Sequence, residues 1–281
     1  MRLGVITDEV SQDFETALKF AKEFDLDCVE LRSAYEKGPF DYETEDILKI
    51  KKLADEYGIP VTAISSPIFK CEYSQENIKL HTEKAAKIIE FAKILGATKI
   101  RCFDFFKDEN VTHEMIKNAY TDIYAMCEKE GIMILIESEP TTNTNCCADI
   151  ASLVKYVNKP YFKGLYDPGN NIYATDEIPF PDGYEKIKNC LEHIHIKDAV
   201  LVDGKADGVA VGEGLVDYKG LFTELKRIGY NKDVMLETHY RKAGKLSEAT
   251  LKNPKGSAIS ENGYEASAEC MENLKKILVS V

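Results

Sequence analysis

Leu3-Gly4-Val5-Ile6 runs straight into Thr7-Asp8-Glu9, an apolar stretch followed by acid, with no glycine after it. An open doubly wound sheet usually follows its first strand with a Gly-rich phosphate loop, so this junction disfavours that fold. Working outward, seven more short runs carry the same β-branched signature: Cys28–Leu31, Val61–Ser65, Lys99–Phe103, Ile132–Glu137, Phe162–Asp167, His193–Lys197 and Asp233–Glu237. Val and Ile dominate them, as expected for strands covered on both faces. Helical periodicity fills the gaps, with start signals at Ser11, Thr44, Ser74 and Thr112. Gly58, Gly96, Gly131 and Gly229 stand where helices end and strands begin. Strand ends recur every ~33 residues, the length of a strand, a crossover helix and two loops. Eight such units predict a closed (β/α)8 barrel of the α/β class, a single domain over residues 1–281.

Composition narrows the function. The chain has 281 residues, 44% of them hydrophobic and 30% charged, which is enough apolar material for a large core. Its net charge of −12 disfavours a nucleic-acid partner, which needs a basic surface to displace counterions. No run approaches the ~18–20 apolar residues that span a bilayer, and the first residues lack the apolar core of a signal peptide. The expectation is a cytoplasmic protein with no membrane partner. Eight cysteines form no Cys-x-x-Cys pair and read as packing thiols, the adjacent Cys146 and Cys147 included. One segment breaks the rhythm: residues 239–261 are polar and too long for an ordinary loop, reading as either a lid or disorder.

Catalytic groups of a parallel barrel sit at the carboxyl ends of its strands. Four consecutive strands end on polar residues: Ile136-Glu137, Tyr166-Asp167, His195 within His193-Ile194-His195-Ile196-Lys197-Asp198, and Leu236-Glu237. Neighbouring strands lie ~4.8 Å apart, so these side chains can meet around one ion. Three carboxylates that close resist ionising together unless a cation sits among them. Three carboxylates and an imidazole suit one divalent metal ion, Mn²⁺ first, with Co²⁺, Mg²⁺ or Zn²⁺ as alternatives; the absence of thiolates excludes a structural zinc site. Alternation along the seventh run turns His193, His195 and Lys197 to one face. His193 lies deeper and reads as a hydrogen-bonded core residue, leaving His195 as the ligand.

Together, Ile136-Glu137, Leu165-Tyr166-Asp167-Pro168-Gly169-Asn170, His193 through Asp198, Gly212-Glu213-Gly214 with Asp217-Tyr218, and Leu236-Glu237-Thr238-His239 carry a resemblance over essentially the whole chain. It resembles the xylose isomerase-like TIM-barrel superfamily, in particular the sugar phosphate isomerase/epimerase group with its ketose 3-epimerases and inosose dehydratases. The resemblance implies one divalent metal on Glu137, Asp167, His195 and Glu237, with Glu137 and Glu237 also moving the proton. The implied activity is epimerisation or isomerisation of a small-molecule sugar or keto-sugar, by proton abstraction next to a carbonyl through an enediolate. A metal-dependent dehydratase of an inosose-type or keto-sugar substrate uses the same groups and is the alternative; a non-catalytic sugar-binding barrel comes after it. Asn170 and Glu139 stand where many relatives have histidines, which touches substrate contacts and leaves the four ligands in place. Five histidines cannot supply the three-zinc set of the more distant endonuclease IV branch.

Asn170, Lys197, His239 and Arg101 are the candidate substrate-binding residues, Arg101 and Glu30 reading equally as buried salt-bridge partners within the barrel. Arg241, Lys242 and Lys245 could meet a phosphate, but a solvated loop explains them more cheaply, so they do not by themselves call for a phosphorylated substrate. The resemblance also implies a homo-oligomer.

Overall fold

The computed structural model describes residues 1–175, 177–252 and 254–281. Eight parallel strands close on one another: β1 (Arg2–Ile6), β2 (Cys28–Leu31), β3 (Val61–Ser65), β4 (Lys99–Cys102), β5 (Met133–Glu137), β6 (Phe162–Tyr166), β7 (Leu191–Ile196) and β10 (Asp233–Leu236), in the circular order β1-β10-β7-β6-β5-β4-β3-β2. The seam pairs Leu3 with Val234 and Gly4 with Met235. Gly4 is required there by close approach, because a Cβ would lie 2.4 Å from Met235 Sδ and 2.6 Å from the Cys28 carbonyl. The closed barrel read from the junction after Ile6 is the fold.

Strict alternation is not. Between β7 and β10 the chain makes an antiparallel hairpin of β8 (Asp198–Val202) and β9 (Lys205–Val209). Its turn is Asp203-Gly204, both at positive φ, an Asp-Gly signal for a two-residue hairpin. Helices are also more numerous and shorter than one per strand. After β1 a single turn, Thr7–Val10, precedes the helix Phe14–Glu23, which is capped by Asp13 accepting from Thr16 N at 3.1 Å. Ser11 instead accepts from Asp13 N. Glu43, not Thr44, caps Thr44–Tyr57, through a capping box with Asp46. Ser74 and Thr112 cap as expected, accepting from Asn77 N and Met115 N.

The segment 239–261 carries short helices at Glu248–Lys252 and Ser257–Ser260, and residue 253 lies outside the described residues. Ser257 N donates to Glu36 Oε2 at 2.8 Å, and Ser260 Oγ to the Asp8 carbonyl at 2.7 Å, tying its end across the barrel mouth. Arg241 corrects its solvated reading: it is buried and donates to the carbonyls of Tyr240 and Ile259, because the chain folds back over it. Lys242 and Lys245 stay outside, paired with Glu269 and Asp207. All eight cysteines are free thiols, and Cys147 is buried. No helix of the described residues is long and apolar enough to cross a membrane.

Outward-facing Ile194 and Ile196 of β7 are fully buried against the surrounding shell, while His193 and His195 face the barrel axis. The interior combines a small apolar cluster of Ile6, Cys28 and Met235 with a column of polar groups. At its amino-terminal end Lys99 meets Asp233 at 2.7 Å, above them His193 meets Glu30, and the carboxyl end holds the candidate site.

Asp104, just beyond β4, is a buried carboxylate outside that column. Its Oδ1 accepts from Thr144 N (3.1 Å) and Thr144 Oγ1 (3.0 Å), whereas Oδ2 has no partner among the described residues. Burial pushes its carboxyl up to about 7. A folded-state value above the unfolded one means that the native chain binds the extra proton, so this group's contribution to stability falls as pH rises from about 4 through 7. Asp104→Asn keeps an acceptor for Thr144 and removes the buried charge. It is expected to be more stable than the parent by about 1–3 kcal/mol at pH 8 and to lose the advantage near pH 4. Urea melts at the two pH values check this; equal midpoints for the two proteins at pH 8 would refute it.

Candidate active site

Four adjacent strands converge at the carboxyl-terminal mouth. Glu137 ends β5; Asp167 follows β6 and caps the helix Pro168–Ala174 by accepting from Asn170 N at 3.1 Å. His195 lies in β7, and Glu237 follows β10. One ligand atom from each of Glu137, Asp167, His195 and Glu237 lies within 4.8 Å of all the others, and all four residues are buried. In barrel order the two glutamates are the outer members, with His195 and Asp167 between them.

Hydrogen bonding sets the imidazole's orientation. His195 Nδ1 lies 3.1 Å from Glu137 Oε1 and 3.3 Å from Glu237 Oε2. Its Nε2 lies 3.3 Å from both oxygens of Glu30, a carboxylate that also takes His193 Nε2 at 2.7 Å and the Ser65 hydroxyl. Burial would raise the Glu30 carboxyl, but His195 and His193 outweigh it and hold it well below the usual range. Ionised Glu30, Glu137 and Glu237 only accept, so both ring nitrogens carry protons here and the imidazole is held well above its usual value. An ion at the quartet would take the place of the Nδ1 proton, with Glu30 keeping the Nε2 proton and the ring's orientation.

Cations offset the crowded acids. Arg101 Nη1 lies 2.5 Å from Glu137 Oε2; with His195 it overcomes burial and brings the Glu137 carboxyl down to about 2. Lys197 Nζ sits 2.8 Å from Asp167 Oδ2 and 2.7 Å from Glu237 Oε2. Even so, burial, with the charges of Glu237 and Glu137, pushes Asp167 up to about 7. That residual penalty on a carboxyl among carboxylates is what a divalent cation would remove, so the donor set fits one. Lys197 is held by Gly169, whose Cβ would meet Lys197 Cγ at 2.4 Å and its carbonyl at 2.8 Å.

Arg32 is the group sequence reasoning missed. Fully buried at the end of β2, it reaches Asp8 (3.0 Å), Glu9 (2.6 Å) and Glu237 (2.6 Å) at once. The strand-end rule that found the quartet applies equally to Asp8-Glu9 and to Arg32, which follow β1 and β2. His239, in the left-handed region at φ 42°, brings Nε2 to 3.2 Å from Glu9 and 3.3 Å from Glu237, where burial lowers it to about 4. Asn170 borders the cleft, but its amide already donates to Ser138 O at 2.8 Å and approaches Glu137 Oε1 at 3.4 Å. Lys197, His239 and Arg101 border the same cleft.

Residues 18–274 match the family model of the xylose isomerase-like TIM barrel. The chain belongs to this family. Among xylose isomerase-like relatives, the L-ribulose-5-phosphate 3-epimerase UlaE of Escherichia coli O157:H7 is 26% identical over 158 residues, 54% of this chain and 53% of that protein. The chain thus spans about half the length of the curated relatives it matches. Two solved structures superpose almost end to end. A D-allulose 3-epimerase from Methylomonas sp. in complex with D-allulose has a TM-score of 0.75 at 15% identity, covering 98% of this chain and 96% of that one. The IOLI protein with a bound zinc atom has a TM-score of 0.74 at 16% identity, covering 100% and 99%. At those identities the likeness speaks to the fold.

Proposed function

We propose that the chain is a divalent-metal-dependent isomerase or epimerase of a sugar or keto-sugar, moving a proton on the carbon beside a carbonyl. The observation that carries this reading is the quartet, four donors from four neighbouring strands drawn within 4.8 Å of one another at a closed barrel's mouth. Glu137, Asp167, His195 and Glu237 would hold the ion, with Mn²⁺ the first candidate for an oxygen-rich set and Co²⁺, Mg²⁺ or Zn²⁺ after it. When bound, the ion supplies a Lewis acid that polarises the carbonyl. Glu137 and Glu237 are the bases. Each is held ionised at rest, Glu137 with Arg101 beside it and Glu237 with Lys197 beside it. As the outer members of the quartet they address a substrate from opposite sides: one carboxylate takes the proton and becomes the acid, while the other, protonated from solvent, gives that proton to the opposite face and becomes a carboxylate again. Return to the neighbouring carbon instead would interconvert aldose and ketose. Lys197 and His239 border the cleft and bind substrate hydroxyls, Arg101 and Asn170 fix the Glu137 carboxylate, and Arg32 fixes Glu237. An epimerase among the sequence relatives supports this class over a lyase.

The test is solvent exchange. Ketoses, keto-inositols and 3-keto sugars incubated with the Mn²⁺-loaded protein in D₂O are expected to gain deuterium beside the carbonyl in a product of unchanged composition. Loss of one water from the product would assign a dehydratase instead. Absence of exchange in every candidate, with the metal bound, would refute the reading.

A further inference from the structure

The cleft over the mouth has two lobes that meet at Lys70, Arg101 and Pro254. The inner lobe, about 180 Å³, reaches Glu137 and Glu237, and its acids and bases balance: Glu137, Glu139 and Glu237 against Lys70, Arg101 and Lys197. The outer lobe, about 270 Å³, shares Lys70 and Arg101 with the inner one and adds Arg32, Lys255 and the carboxylate of Asp41. Arg32 is surrounded by Asp8, Glu9 and Glu237, and the exposed Lys255 faces Asp41 at 3.5 Å, so the donors that Lys70 and Arg101 leave unused decide what the lobe takes.

Lys70 has a side chain 11% exposed and, among the described residues, one ion-pair partner, Glu139 at 2.9 Å, although an ammonium carries three donors. Burial and the nearby Arg101 charge lower its pKa, whereas Glu139 opposes them. Arg101 is 8% exposed; its Nη1 meets Glu137, and its buried Nε has no partner among the described residues. Both cations lie over the ring of Phe103, at 5.0 and 4.5 Å from its centroid. His81 adds a third donor of defined kind. Its Nδ1 accepts from Phe69 N at 2.7 Å, so a neutral ring has its proton on Nε2, and the ring borders the outer lobe.

We propose that the outer lobe is an oxyanion subsite in which Lys70, Arg101 and His81 hold an anionic substituent of the substrate, a phosphate ester or a carboxylate. The proposal rests on the epimerase reading and deepens it by giving the substrate a charged end. A neutral sugar hydroxyl supplies one acceptor and brings a donor of its own; an oxyanion supplies only acceptors, and its bonds to desolvated cations are charge-assisted. Arg101 joins the two ends: it contacts Glu137 on one side and borders the anion lobe on the other, so one monosaccharide-sized skeleton serves both. Pro254 and Lys255, from the long segment after β10, form the far wall.

Two measurements on the full, Mn²⁺-loaded chain test this. The kcat/KM for a ketose phosphate is expected to exceed that for the free ketose by about 10–100-fold, and Lys70→Met to cut that ratio at least ~10-fold, with Lys70→Arg restoring most of it. Separately, calorimetric titration with methyl phosphate and with acetate is expected to show binding that Lys70→Met weakens. Whichever probe binds tighter names the anion. The exposed Lys255→Ala, which leaves the core untouched, should weaken the same probe by less, and covers the case in which Lys70→Met does not fold. Equal kcat/KM for charged and neutral ketoses, with neither probe binding, would overturn the subsite while leaving the epimerase reading intact. Probe binding that depends on Lys70, without turnover of any ketose, would keep the subsite and overturn the epimerase reading.

Discussion

Glu237→Gln is expected to slow exchange of the proton beside the carbonyl by about 10³-fold, within the 10²–10⁴ range typical of a positioned general base. The substitution keeps the shape of the side chain and removes the ionised oxygen pair on which Arg32 (2.6 Å), Lys197 (2.7 Å) and His195 (3.3 Å) converge. Those cations have another acid each, in Asp8, Asp167 and Glu137, so the fold should survive. The neutral amide loses its function as a base and one charge toward the ion, so weaker Mn²⁺ binding should accompany the loss of rate. Deuterium incorporation followed by NMR, beside metal content of the dialysed protein, separates the two effects. Exchange within threefold of the parent would remove Glu237 from the mechanism.

The second large effect is on stability. Asp233→Ala is expected to cost about 3–5 kcal/mol, because it strands a buried charge rather than deleting a surface pair. Lys99 is 7% exposed and has Asp233 as its ion-pair partner at 2.7 Å; Arg2, half in solvent, shares the same carboxylate at 2.6 Å. Burial would raise the Asp233 carboxyl, but Lys99 outweighs it and lowers it. A folded-state value below the unfolded one gives stability that is fully present above the ordinary carboxylate range and lost as pH falls through the lowered value. The gap between parent and Asp233→Ala in urea melts should therefore be widest near neutrality and shrink below about pH 4. A gap that stays constant down to pH 2 would show that packing, not the ion pair, is what the variant loses.

Glu137, Asp167, His195 and Glu237 were legible because each follows a short β-branched run, and a parallel barrel gathers strand ends at one rim. His193 was legible as a deeper residue for the same reason: two positions earlier on one strand face is one layer further down. The hairpin after β7 carried its own Asp203-Gly204 signal, which the expectation of eight equal units overrode. Arg32 and the acids at its tips come from β1, β2 and β10, far apart in sequence and adjacent only at the barrel seam. Lys70 stands in a loop with nothing local to mark it. Its burial depends on Glu139, Phe103 and Pro254 arriving from three other parts of the chain.

Periodicity and strand-end chemistry are local properties, and they were sufficient for the barrel, the direction it opens and the four residues at its mouth. Which imidazole nitrogen faces those acids, which cation neutralises which carboxylate, and that two lobes of the cleft share Lys70 and Arg101 depend on distances between strands. Charge interactions in a low-dielectric interior change steeply over a few ångströms. No pattern along the chain encodes such separations; closing the barrel does.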